Sequence, residues 1–177
     1  MIETERLILR RWREEDVAPY AAIRAQPEIA RWLTPITHID EVISRINRYD
    51  GGFDEHGIGR WAVERRADGA LIGACGILPA WPTLPVSPAL DLGWHLSRDA
   101  WGHGYASEAA RAALADGFIR RPEAREIIAV TNEHNVRSQA VALRIGMRRE
   151  PARDFDSPEV SDPAERRQFV FAAPRPN

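Results

Sequence analysis

"DLGWHLSRDAWGHGYASEA", residues 91–109, passes from strand chemistry to helix chemistry within nineteen residues. In its first half, Leu92, Trp94 and Leu96 alternate with Asp91, Gly93 and His95, the period of two that sends successive side chains to opposite faces of a strand. A strand is therefore expected over 89–97. After Gly104, Ala106, Ala109, Ala110, Ala113, Leu114 and Phe118 recur at helical spacing, with Gly117 near the end. Gly102 and Gly104 thus stand at the entry of a helix. There, free N–H groups point outward and the dipole favours an anion. Glycine and alanine leave no side chain in the way, so the stretch is a candidate diphosphate cradle. Two nucleotide-binding alternatives fall. A Walker loop needs Gly-Lys-Ser/Thr, and the chain has no lysine. A dinucleotide fingerprint needs a third glycine where Ser107 stands, and Asp116 and Glu123 lie in the wrong elements for its acidic partner.

Outward from that stretch the pattern alternates between strands and helices. "RLILRRW" (6–12) reads as a strand. Asp16 lies near a helix start, followed by the stripe Val17, Tyr20, Ala21 and Ile23. Pro27 and Pro35 interrupt, "IDEVISRINRY" (39–49) reads as a second helix, and "GGFDEHGIG" (51–59) as a loop. "RWAVERRADGALIGACGIL" (60–78) is a hairpin turning at Asp68-Gly69. Four prolines make 79–88 a loop. "EIIAVT" (126–131) is a strand buried on both faces, and "NVRSQAVALRIG" (135–146) a helix with Asn135 as N-cap and Gly146 as its stop. "RRQFVFA" (166–172) is a last strand. The implied class is α/β (α+β): one sheet covered by helices, in a single domain spanning 1–177.

Composition narrows the function. A net charge of -2 and the lack of a basic stripe argue against nucleic acid or a membrane surface as partner. All 24 basic residues are arginine, which excludes lysine Schiff-base chemistry. The lone Cys75 lies in an apolar run and reads as a small core residue, in keeping with a reducing, cytoplasmic location. Neither a signal peptide nor a membrane-length apolar span is expected, and no metal-ligand cluster stands out.

Taken together, "DLGWHLSRDAWGHGYASEA", "NVRSQAVALRIGM" some thirty residues on, and the opening "ETERLILRRWREEDV" resemble the GNAT N-acetyltransferase superfamily, and within it the RimJ/RimL-type branch that includes ribosomal-protein N-terminal acetyltransferases. The resemblance covers essentially the whole chain. It implies a mixed, mostly antiparallel central sheet, split between adjacent strands 90–97 and 126–131, with helices on both faces and acetyl-CoA as co-substrate in the split. The family's phosphate loop falls on Trp101, Gly102, His103, Gly104, Tyr105 and Ala106, so that main-chain N–H groups from Gly102 through Ser107 would bind the pyrophosphate. Trp101 stands where Gln or Arg is usual, and His103 reads as a solvent-facing neighbour of the phosphates. Trp94, His95 and Leu96 would offer groups to the pantetheine arm, and Asn135 would hydrogen-bond the same region.

The implied reaction is attack of a neutral amine on a thioester. By resemblance Asp91 is the candidate to accept the amine's proton or orient it, the alternative being a strand carboxylate paired with an arginine; His95 is a weaker candidate on the same face. Many relatives place an acidic tyrosine in the last helix, but here that position is Ala142. Ser138 is then the best-placed donor to the leaving thiolate. The acceptor is expected to be a peptide or protein N-terminus. The alternatives are a small amine such as an aminoglycoside or polyamine, or a CoA-binding regulator without catalysis; whether the chain forms a homodimer is left open. Acceptor recognition is expected from 30–38, the 51–59 segment and the proline-rich stretch, with Trp32, Phe53, Trp81, Asp54 and Glu55 as candidates.

Overall fold

A mixed sheet of nine strands organises the computed structural model, which describes residues 1–176. In chain order the elements are β1 (Ile2–Glu3), β2 (Leu7–Arg10), α1 (Val17–Arg24), α2 (Pro27–Ala30), α3 (Ile39–His56), β3 (Arg60–Arg65), β4 (Leu71–Pro79), β5 (Leu90–Leu96), α4 (Tyr105–Arg120), β6 (Glu126–Asn132), α5 (Val136–Arg144), β7 (Arg148–Arg149), β8 (Phe155–Asp156) and β9 (Arg167–Pro174). The strands lie in the order β1-β2-β3-β4-β5-β6-β9-β7, and β8 pairs with β9. Every pairing is antiparallel except β5 with β6, which run parallel and meet at one register position, Asp91 opposite Ile128. Beyond it the two strands diverge, giving the expected split.

Two apolar layers flank the sheet. On one face α4 and α5 close a core containing Leu7, Trp61, Cys75, Ile77, Leu92 and Ile127. The alanines of α4 explain how: Ala109, Ala110 and Ala113 are at most 2% exposed and let the helix axis approach the strands. At Gly117 even a methyl group would meet Ile77 Cδ1 at 2.1 Å. On the other face α1 and α3 pack Tyr20, Val42, Ile46 and Tyr49 over Trp12, Ala62, Ala74 and Leu78. Burial of Cys75 pushes its thiol up to about 12. No helix among the described residues is long and apolar enough to cross a membrane.

The 51–59 segment corrects the sequence expectation. It is not a loop: α3 continues to His56, and the true stop is Gly57, which takes the left-handed conformation at φ 71°. Gly52 is glycine because its helix lies hard against the sheet; a Cβ there would sit 2.7 Å from both the Ile58 carbonyl oxygen and Leu78 Cδ2. The glycine pair marks close packing rather than a turn. The short β1, α2, β7 and β8 escape the sequence because two to four residues carry no readable period.

Candidate active site

The glycine loop has the geometry that anion binding requires. Gly102 and Gly104 both adopt positive φ, 84° and 81°. This left-handed region is strained for residues with a Cβ. Gly104 is the N-cap of α4 and no side chain caps that end. Nothing lies within 4 Å of a Cβ built on Gly102, and only Arg6 Nη2, at 3.6 Å, approaches one on Gly104. His103 is exposed and stacks on Tyr105, while its carbonyl accepts from Arg6 Nη1 at 2.9 Å. Arg6 is in turn held by Glu108, bonded at 2.7 Å to its Nε and at 2.9 Å to its main-chain N–H. Trp101 is a wedge between the loop and the strand: its Nε1 donates to the Leu96 carbonyl at 2.8 Å. Arg98 and Arg137 place their guanidinium carbons 5.0 and 4.7 Å from its ring, one cation on the loop and one on α5. Sequence reasoning missed both.

Along the open edge of β5 the main chain divides by residue. The Ser97 N–H donates to the Ile72 carbonyl at 2.8 Å. With Gly73 opposite Leu96 in an antiparallel ladder, bonded pairs alternate. His95 therefore turns its main chain toward β4, whereas Trp94 and Leu96 turn theirs toward the split. The His95 side chain is likewise occupied, its Nε2 lying 2.9 Å from the Tyr20 hydroxyl on the α1/α3 face. Burial, then the charges of Arg24, Arg60 and Arg45, hold its pKa well below the ordinary histidine value. On β6, Thr131 Oγ1 is buried without a partner. Asn135 is the expected N-cap of α5: its side-chain oxygen accepts from the Ser138 N–H at 3.2 Å. The Ser138 hydroxyl bonds no protein group among the described residues, and no hydrogen bond joins it to Asp91. Ala142 is wholly buried in the main core, where a tyrosine could not be accommodated without repacking.

Asp91 sits at the apex of the split and ties it together. One carboxylate oxygen accepts from the Val130 N–H across the opening at 3.3 Å, and the other meets Arg60 Nη2 at 3.0 Å. The arginine pairing weighed from sequence is thus present. Burial raises the Asp91 pKa, against the opposing charge of Arg60 and the bond from Val130. Arg60 reaches Asp91 by lying across two neighbouring strands, over Gly76 and Gly93. A Cβ on Gly93 would stand 2.3 Å from Arg60 Nη2. Glycine inside a strand is the one sequence signal that could have exposed this crossing.

The remaining sequence candidates scatter. Phe53 packs on Trp61 with ring centroids 3.9 Å apart in the core. Asp54 belongs to Arg11, at 2.9 Å, in the last turns of α3. Trp81 is exposed and carries the Arg48 guanidinium 3.6 Å above its ring. Among the described residues no group of three or more His, Cys, Asp or Glu is placed to hold a metal ion.

Comparison with known proteins fits this geometry. The acetyltransferase (GNAT) domain model matches residues 6–148. The Bacillus subtilis (strain 168) protein named "Uncharacterized N-acetyltransferase YoaA" is 28% identical over 152 residues, covering 85% of this chain and 84% of its own. The crystal structure of an acetyltransferase from Agrobacterium tumefaciens superposes with a TM-score of 0.78 at 26% identity, covering 98% of this chain and 94% of that one. RimL, a ribosomal-protein alpha-N-acetyltransferase solved with coenzyme A, shares the fold at a TM-score of 0.76 and 17% identity, covering 97% and 95%.

Proposed function

This chain belongs to the GNAT acetyltransferase family, an acetyl-CoA-dependent N-acetyltransferase, and on that premise we propose that it acetylates the α-amino group of a peptide, protein or amino acid. The observation that carries the reading is the pair of left-handed glycines opening α4 with uncapped donors, beside a strand pair that parts just past Asp91. Those donors, from Gly102 through Ser107, suit a diphosphate, with Arg98 and Arg137 adding positive charge. The outward main chain of Trp94 and the Leu96 N–H suit the amide-bearing pantetheine arm, which adds to a strand edge as a peptide does. The free hydroxyl of Thr131 and the amide nitrogen of Asn135 are further partners for it.

Acetyl-CoA supplies a thioester carbon; the amine nitrogen bonds to it, the C–S bond breaks, and the thiolate departs. The acceptor must first be neutral. An α-amine titrates near 8 and is partly neutral at pH 7, whereas a lysine amine near 10.4 is not. Asp91, raised by burial yet engaged by Arg60, suits a modest base or an orienting acceptor for such an amine. The thiol's pKa near 8.5 makes its thiolate a tolerable leaving group, so a hydrogen bond from Ser138 stands in for the proton that a tyrosine at 142 would give. The test is titration calorimetry with acetyl-CoA, then mass spectrometry of an amine panel incubated with it. Binding with acetylation of α-amines ahead of side-chain amines is expected; binding with no transfer to any amine would overturn the reading.

A further inference from the structure

On the α1/α3 face of the sheet, the side chains along β5 from Asp91 to His95 meet strongly cationic neighbours: Arg60 and Arg48 bear on Asp91, and Arg24, Arg45 and Arg60 on His95. Arg24 from α1, Arg45 and Arg48 from α3, and Arg60 from β3 all act on one aromatic wall formed by Tyr20, Tyr49 and His95. Arg24, Arg45 and Arg60 each bear on His95 and on Tyr49, and Arg45 and Arg60 on Arg48. The wall is tight: Tyr20 lies 6.4 Å from Tyr49 and 5.6 Å from His95, ring to ring. Its potential registers on Tyr49. Burial opposes ionisation of that phenol, yet the charges of Arg60 and Arg45 pull its pKa below the ordinary tyrosine value.

The acids do not balance this. Asp91 is the carboxylate that bears on Arg60 and Arg48, and it is committed to Arg60. Among the described residues, Arg24, Arg45 and Arg48 make no salt bridge to an acid, and Arg48 lies over the Trp81 ring. Arg24 is 4% exposed, spends Nη2 on the Thr34 carbonyl at 2.6 Å, and leaves Nε and Nη1 buried with nothing to bond; Arg60 Nε is in the same condition. Unpaired buried guanidinium nitrogens carry a large desolvation penalty unless an anion arrives to satisfy them. Planar guanidinium groups match carboxylate and phosphate oxygens in pairs.

We infer that the acceptor carries an oxyanion beside its amine, and that this arginine cluster binds that oxyanion while Asp91 faces the amine. The inference rests on the N-acetyltransferase reading and narrows its substrate: a carboxylate-bearing amine is held, and a polyamine or aminoglycoside, cationic throughout, is repelled. Two sources share the chemistry, the α-carboxylate of a free amino acid and an acidic side chain next to a peptide's N-terminus.

Thiol release from acetyl-CoA distinguishes them. The acceptors are glutamate and glutamate α-amide, the amidated dipeptides Ser-Asp, Ser-Asn and Ser-Lys, spermidine, and an aminoglycoside. The expected result is a kcat/KM roughly tenfold or more higher for the acid of at least one matched pair, within what one partly desolvated ion pair delivers. The free acid winning only within the glutamate pair assigns the amino-acid source; Ser-Asp winning over Ser-Asn assigns the peptide source. Arg45→Gln combined with Arg48→Gln should bring the ratio close to one while acetyl-CoA affinity holds, and Arg45→Lys, which keeps the charge, should retain it. Neutral or polycationic acceptors used as well as the acids would overturn the inference and leave the enzyme reading standing. No transfer to any amine, with acetyl-CoA bound, would instead overturn the enzyme reading and this inference with it.

Discussion

The two faces of the split are built on different principles. Toward α4, the site is main chain: glycines at positive φ, an uncapped helix end, and strand groups turned outward by ladder alternation. Toward α1 and α3, it is side chain: arginines, tyrosines and a histidine delivered by four separate elements onto one face of the sheet, beside the carboxylate of Asp91 at one end. Main-chain donors are the same in every sequence that folds this way, so the first face suits a constant co-substrate. Side chains can change without disturbing the ladder, so the second face suits a variable acceptor.

Four substitutions press on that contrast. The largest effect is expected at Gly104→Val. A β-branched side chain at φ 81° strains the turn and stands where an anion would come. Calorimetry should show acetyl-CoA affinity falling by roughly 100-fold with the fold intact; retained affinity would break the assignment of the first face to main chain. Next is Arg60→Met, which strands Asp91 between β5 and β6. Breaking a mostly buried ion pair of this kind is expected to destabilise by about 2–4 kcal/mol, a drop of some 5–10 °C in thermal midpoint by calorimetric scanning. An unchanged midpoint would mean that the Asp91–Arg60 pair does not hold the split.

Ser138→Ala comes third. Turnover should fall roughly tenfold, the loss of one hydrogen bond to a charge developing in the transition state, while acetyl-CoA affinity stays mostly intact. Unchanged steady-state turnover would remove Ser138 from the mechanism.

The smallest effect concerns pH. His95 is held neutral in the folded chain, with its pKa well below the unfolded value near 6.5. The unfolded state then binds the extra proton as pH falls through about 6.5, so the stability that His95 contributes is present above that value and lost below it. The loss is at most about 1.4 kcal/mol per pH unit. His95→Gln keeps a partner for the Tyr20 hydroxyl and should flatten the fall in thermal midpoint between pH 7 and pH 5. An equal slope in both proteins would place the titration elsewhere and weaken the picture of a positive wall.

The difference in legibility follows the same division. The β5-to-α4 passage is readable because alternation, helical spacing and two glycines are local facts, each fixed within a few residues. Asn135 is readable as a cap for the same reason, and its structure obeys. The 51–59 segment fails the same method. Gly51-Gly52 looks like a break, but tertiary packing of α3 against Ile58 and Leu78 keeps it helical.

By itself, then, the sequence determined the longer strands and helices and the glycine entry to α4, because periodicity and turn chemistry act over short distances, while the split strands and the family came through resemblance. Tertiary structure alone decided that Arg60 crosses Gly76 and Gly93 to reach Asp91 with Arg48 near it, and that Arg24 and Arg45 bear on His95 and Tyr49, with no acid paired to Arg24, Arg45 or Arg48 among the described residues. Cross-strand register and the docking of two helices create those neighbours, and apart from the strand glycines Gly76 and Gly93 neither leaves a mark in the spacing of residues 20–95.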